Sequence, residues 1–422
     1  MAGEPVMNHA ACGLGIATIM SDRIEPSPPT SPTPGWIAEA LDQLDRAALR
    51  RRLATRGSAQ GPTMVLDGRQ LVNFGSNDYL SLAADPRVVE AAIAAARQEG
   101  WGSGASPLVT GRSRQHALLE EELAAFEGAE AALVFPSGFA ANAGTIAALV
   151  GPGDVVYTDR KNHASLLDGC RLSRADVRVY PHNDPAALRR LVERGRYRRR
   201  LIVTDSLFSI DGDTARLVEL TEIAEGCGAM LLVDEAHATG VFGPRGRGLV
   251  EAMDIERWVH ARIGTLSKAL ASAGGFVAGS RALIDWLANR ARSYVFSTAA
   301  PPAVLAAARR AVEIVGAEPG MGARLLRRAA ALRARLAEHG WNTGASAGQI
   351  IPLFVGTPRR ALALSAALKE QGFFVPAIRP PTVPEGESCL RVSLTLGHTE
   401  AMLDGLVEAL ELARRDAPTF RA

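Results

Sequence analysis

The chain has 422 residues, 47% of them hydrophobic, and a formal net charge of +2. That length suits one large domain plus a smaller one, and the near-neutral charge excludes a global basic field for nucleic acid. No run approaches the roughly 18 apolar residues of a membrane span. Cys12, Cys170, Cys227 and Cys389 are scattered, with no C-x-x-C pair and no metal-ligand spacing. They exclude a disulfide frame or zinc site and point to a reducing cytoplasm.

In chain order, "EPSPPTSPTPG" repeatedly fixes φ and offers little apolar surface, so residues 1–35 read as a flexible extension. No basic segment precedes "ACGLGIATIM", which argues against a secretory signal. "WIAEALDQLDRAALRRRLA" has helical spacing and opens an N-terminal arm over 36–80. A large domain over 81–305 follows. Within it "AALVF", "DVVY", "VRVY", "LIVTD", "MLLVD" and "ARIGT" read as buried strands, separated by helical stretches such as "GFAANAGTIAALV" and "HASLLDGCRLS". That alternation predicts a mostly parallel sheet covered on both faces, with ligands beyond the carboxyl ends of the strands, where Asp205, Asp234 and Thr265 stand. Residues 306–422 read as a smaller α+β domain, entered by one long Ala/Arg-rich helix over 302–339.

"LLVDEAHATG" (231–240) has two readings: a magnesium-binding acid of a helicase, or an acid facing the ring nitrogen of pyridoxal phosphate (PLP). A phosphate-loop NTPase needs G-x-x-x-x-G-K-[ST]. The only lysines are Lys161, Lys268 and Lys369, and none follows a glycine. The second reading needs a Schiff-base lysine, an acid and a phosphate cup. "GTLSKAL" supplies Lys268 just past a strand, in a turn rich in Gly, Ser and Thr. Lys161 in "DRKNHAS" is its rival, and Lys369 belongs to a solvated helix.

From about Ala40 to the C-terminus the sequence resembles the α-oxoamine synthases, fold-type I PLP enzymes. The motifs are "NFGSNDYLSL" (73–82), "FPSGFAANAGTIAAL" (135–149), "DRKNHASLLDG" (159–169), "LFSIDGD" (207–213), "VDEAHATGVFGPRGRG" (233–248), "TLSKAL", "FSTAAPP" and "AIRPPTVPEGESCLRVSLT" (377–395). The resemblance implies an α/β fold-type I transferase and a catalytic set of Lys268, His163, Asp234 and His237. Lys268 would bind the cofactor and act as general base, Asp234 would pair with the pyridine nitrogen, and His163 would stack on the ring. His237 and Ser209 would reach the phenolic oxygen. Gly138, Phe139 and Thr265 would take the phosphate, joined by Ser297 or Thr298 from a partner subunit, which makes the enzyme a homodimer. Arg391 would fork onto the amino acid's carboxylate. Thr382, Asn77 and Arg50 would contact substrate, with Arg51 or Arg52 replacing Arg50 after a one-residue slip.

The last motif is most like the biotin-pathway branch. It implies L-alanine and pimeloyl-CoA or a pimeloyl carrier protein as substrates, without metal, nucleic acid or membrane. Other α-oxoamine synthases and PLP aminotransferases are the rival readings. The loop "GSGASPLVTG" (102–111) departs from the branch's Gly/His-containing form, and residues 1–35 have no counterpart in the family.

Overall fold

The computed structural model describes residues 33–416. All but the end of the extension assigned to residues 1–35, and Cys12 with it, lie outside them. The chain divides into two compact units, Met1–Arg50 and Arg51–Ala422.

In the first unit the helix is Gly35–Arg46, shorter than the spacing over 36–54 predicts. Ala48 adopts a φ of 57° and Arg50 pairs with Asp45 at 2.6 Å. The end is a local backbone turn: with Ala48 left-handed, the Leu49 and Arg50 amides fold back onto the Leu44 carbonyl instead of continuing the helix.

The second unit is built on a seven-stranded sheet. Its order is Ala131–Phe135, Gly275–Gly279, Ala261–Thr265, Met230–Asp234, Arg200–Asp205, Val155–Asp159, Asp176–Tyr180. The last five run parallel, and Gly275–Gly279 is antiparallel to both of its neighbours. Side chains alternate between two cores: Ile202, Leu231 and Val233 join one, while Leu201, Val203 and Leu232 join the other. Both faces are therefore covered, which is why these strands read as continuous apolar runs.

Six of the seven strands coincide with the runs read from the sequence. The seventh, "GFVAG", was not expected, because glycine depresses strand propensity. Here the glycines serve close packing. A Cβ on Gly264 would strike the Phe276 ring, and one on Gly275 would lie 2.5 Å from the Gly138 nitrogen.

Residues 350–393 form a separate antiparallel sheet ordered Ile350–Gly356, Ser388–Ser393, Ala377–Ile378, against which helix Pro358–Glu370 packs. The single helix expected over 302–339 is two, Pro302–Ala317 and Gly320–Glu338. Pro319 has no N–H to give, and Glu318 before it leaves helical geometry at φ −122°, ψ 59°. No helix among the described residues is long and apolar enough to cross a membrane.

Candidate active site

Four of the five parallel strands end on Asp159, Asp205, Asp234 and Thr265, with Asp205 directly opposite Asp234 in the ladder. Asp234 is buried and fully engaged. Its Oδ2 accepts from Asn142 Nδ2 at 2.6 Å and its Oδ1 from the Ala236 amide at 2.8 Å. Asn142 lies one turn into helix Gly138–Leu149, so helix and strand fix the carboxylate jointly. Asp205 accepts the His163 amide at 2.6 Å. Burial, and then the charge of Asp234, push the Asp205 carboxyl well above its usual range. Asp205 is thereby driven toward its neutral form.

Lys268 follows Ala261–Thr265, and its Nζ lies 2.9 Å from His237 Nε2. Burial lowers the lysine to about 8 against the opposing pull of Asp234 and Asp205. His237 is buried, with Nδ1 2.6 Å from the Tyr79 hydroxyl and its carbonyl accepting from Gln349 Nε2 at 2.8 Å. Burial first, then the neighbouring Lys268 cation, hold its pKa well below the ordinary histidine value, so the imidazole is neutral. His163 caps helix Ala164–Ser173, with Nδ1 2.7 Å from Ser165 Oγ, and faces the cavity.

At the other end, Ser137 caps the start of helix Gly138–Leu149 by accepting the Ala140 amide at 3.0 Å. Gly138 packs beside Thr265, where an added Cβ would lie 3.5 Å from the threonine side chain. Thr265 Oγ1 and Ser267 Oγ are 2.7 Å apart. Unsatisfied N–H groups at a helix start beside two hydroxyls favour an anion. The Phe139 ring is largely exposed, so this residue can offer the cup its backbone rather than its side chain.

Arg391, on strand Ser388–Ser393, is buried. Its Nε donates to the Ser209 carbonyl at 2.6 Å, and its Nη1 to Asn77 Oδ1 at 3.1 Å and Ser393 Oγ at 2.6 Å. A cavity of about 730 Å³ opens between His163, Lys161, Ser209, Thr382 and Glu387. Thr382 Oγ1 accepts from Arg51 Nη2 at 3.1 Å. Arg50, paired with Asp45, belongs to the other unit. Lys161 is bound to Asp211 at 2.9 Å and Glu387 at 3.1 Å, so it is not the free amine the chemistry needs. Lys369 lies 3.6 Å from Asp67. Thr298 is exposed on the segment following Phe296 and bonds to none of these residues.

The structure thus brings together Lys268, His237, Asp234 and His163, with Gly138 and Thr265 at one end and Ser209, Asn77 and Arg391 at the other. Sequence reasoning set Asp205 at a strand end without giving it a role, and missed Tyr79, Asn142 and Gln349. Asn142 had a legible signal, a lone amide in the apolar helix "GFAANAGTIAAL"; the others are linked to the site only through the tertiary fold.

A lowered lysine amine, a fixed carboxylate, an anion cup and an adjoining cavity together fit pyridoxal phosphate. Sheet and site define a fold-type I PLP enzyme. Residues 69–410 match the family model "Aminotransferase class I and II". The chain is 52% identical over 383 residues to the 8-amino-7-oxononanoate synthase of Anaeromyxobacter dehalogenans, covering 91% of this chain and 96% of that one. It is 50% identical over 367 residues to that of Geobacter metallireducens, covering 86% and 94%. A serine palmitoyltransferase of S. paucimobilis with bound PLP superposes with a TM-score of 0.86 at 30% identity, covering 90% and 97%. The 8-amino-7-oxononanoate synthase of Francisella tularensis gives 0.71 at 27%, covering 82% and 97%. The chain belongs to the 8-amino-7-oxononanoate synthase family, PLP-dependent acyltransferases that join an amino acid to an acyl thioester.

Proposed function

We propose that the enzyme condenses L-alanine with a pimeloyl thioester, carried on CoA or on a carrier protein, and releases 8-amino-7-oxononanoate, CO2 and free thiol. It does so as a cytoplasmic homodimer in biotin biosynthesis. The observation that carries the reading is the 52% identity to an 8-amino-7-oxononanoate synthase over nearly the whole of both chains.

When bound, the cofactor supplies a sink for the electrons left on the amino acid's α-carbon. The remaining work falls to side chains. Lys268 would hold the cofactor, give way to the incoming amino group, and take the Cα proton on Nζ; a lysine held near 8 is suited to those roles. Asp234, fixed by Asn142 and the Ala236 amide, would keep a ring nitrogen protonated. His163 would cover the ring, His237 and Ser209 would serve its phenolic oxygen, and Gly138, Phe139 and Thr265 would hold the phosphate. Thr298, exposed in its own subunit, serves the partner's phosphate site.

Arg391 receives the alanine carboxylate. Its Nε and Nη1 are engaged with Ser209, Asn77 and Ser393, so a bidentate grip requires one of those bonds to exchange. For the far carboxylate of the pimeloyl chain, the family match favours Arg50, while the bond to Thr382 supports Arg51.

The test is thiol release with alanine, glycine or serine against acyl thioesters of different length. Alanine with pimeloyl thioester should be the preferred pair. Preference for serine with a long acyl chain would instead favour the activity named for the structural relatives, and amino-group transfer to a keto acid without thiol release would mark an aminotransferase.

A further inference from the structure

The 730 Å³ cavity has walls from distant parts of the chain. Lys161 and His163, just past strand Val155–Asp159, form one side with Asp211 of the 207–213 turn; Thr382 and Glu387 of segment 380–387 form the other. Lys268, Asp234, His237 and Arg391 stand outside the lining, and the volume far exceeds what alanine fills. That leaves the cavity to the acyl thioester.

The two sides are held differently. The Lys161 amide donates to Asp159 Oδ1 at 2.7 Å, and Asp211 sits in a turn closed by the Gly212 amide on the Phe208 carbonyl at 3.0 Å. Opposite them, Pro381, Thr382, Pro384, Glu385 and Gly386 are exposed. The backbone of that segment closes on itself in two turns, Thr382 onto Arg379 at 3.1 Å and Glu387 onto Pro384 at 3.2 Å. Arg51, which does not line the cavity, also donates to Thr382 Oγ1. Across the cavity the tie is Lys161, whose Nζ lies 2.9 Å from Asp211 Oδ2 and 3.1 Å from Glu387 Oε2. Burial opposes the ammonium's charge, but Asp211 and then Glu387 outweigh it and raise the pKa, so the cation persists.

An isolated exposed ion pair contributes little to stability. Here one ammonium gathers two carboxylates from separate segments, and the Asp211 side chain is only 14% exposed. The strength of the tie matters less than its place, since its Glu387 end restrains the exposed side of the cavity.

We propose that Lys161 is a positioning residue: through Glu387 it straps segment 380–387 against the cavity and sets the fit of the acyl thioester. The inference rests on the proposed reaction for the identity of the occupant.

The experiment compares full-length, PLP-loaded protein with Lys161→Met, Glu387→Gln and the two combined. Glu387→Gln leaves the Lys161–Asp211 pair in place. With alanine and the preferred thioester, it should raise the thioester KM about two- to fivefold, the scale of a partly exposed ion pair. Lys161→Met should raise it further, and the double variant no further than Lys161→Met, because one interaction is lost in both. PLP affinity, the alanine-induced spectral shift and kcat should stay as they are. Hydrogen exchange read by mass spectrometry needs no substrate, and both single variants should speed it at the Thr382 to Glu387 amides but not over 230–237. A thioester KM that is unchanged or lowered by Glu387→Gln would show that Lys161 does not act through Glu387, and would overturn the proposal. Equal weakening of PLP and alanine binding, or unaltered exchange in the segment, would overturn it too. Failure to release thiol from every thioester would refute the proposed reaction and not the strap, which the exchange still reads.

Discussion

Lys268 is useful as an amine because its surroundings deprive it of water. Its pKa of about 8, lowered by burial against the pull of Asp234 and Asp205, lies below the ordinary 10.5. Only the neutral amine attacks a carbonyl, so the rate of PLP capture should be level above about pH 8 and fall about tenfold per unit below it. Stopped-flow absorbance across pH measures this; a break near 10 would contradict the burial argument. Borohydride should fix the cofactor on Lys268 and not on ion-paired Lys161, and Lys268→Ala should abolish the label.

Asn142 gives a second prediction. It donates to a buried carboxylate, so Asn142→Leu should weaken PLP binding by about 1.5–3 kcal/mol, the range for a hydrogen bond to a charge. Fluorescence titration reads this, and an unchanged affinity would mean the Ala236 amide alone fixes Asp234. Arg391→Lys keeps the charge but loses the planar fork and the bonds to Ser209, Asn77 and Ser393. Alanine binding should weaken by about 2–3 kcal/mol, seen as a raised KM for alanine with little change for the thioester.

Among the elements, the turn after Asp176–Tyr180 is tied to its surroundings through His182. Its Nδ1 lies 3.0 Å from Asp159 at one strand end, and its Nε2 3.0 Å from Asp213 in the 207–213 turn beside Ser209. Burial disfavours the charged ring, but bonds to the two carboxylates outweigh it and raise the pKa to about 9 from 6.5. His182, Asp211 and Asp213 are near enough to suggest a metal, yet both ring nitrogens are already committed to carboxylates. Because the folded pKa is raised, the clamp contributes fully below the unfolded value near 6.5 and is lost as pH rises through about 9. His182→Gln should cost about 1–3 kcal/mol at pH 6 and much less at pH 10. Denaturant melts at the two pH values decide it; an equal loss at both would mean that packing against Phe208, not charge, is what His182 contributes.

At the scale of the whole molecule, the clearest clue to assembly is an exposed apolar surface. Trp101, Leu108, Val109 and Phe296 are 71%, 55%, 74% and 70% exposed. Their segments are joined by Ser103 Oγ to the Ala300 carbonyl at 2.8 Å and the Ala299 amide to the Ala105 carbonyl at 3.0 Å. Large apolar side chains grouped this way mark an association surface, and Thr298 lies within the same segment. Phe296→Asp with Val109→Asp should therefore shift sedimentation from dimer to monomer and lower PLP affinity together. A monomeric double variant with normal PLP affinity would show each site to be complete in its own subunit.

The sequence by itself determined the chemistry-bearing residue types and the alternating strands and helices, because buried parallel strands must be continuous apolar runs and only three lysines exist. It therefore specified six of the sheet's seven strands and offered Lys268 and Asp234 as candidates. Tertiary structure decided what depends on distant residues meeting. Asn142 grips Asp234 from 92 positions away, Tyr79 reaches His237 across 158, and Arg391 meets Asn77 across 314. No local propensity encodes such pairs. It decided the glycine-rich strand Gly275–Gly279 as well, where close approach to Gly138 and Phe276 overrides a poor strand former. That Arg51 donates to Thr382 was equally beyond spacing, since Arg50, Arg51 and Arg52 have the same chemistry.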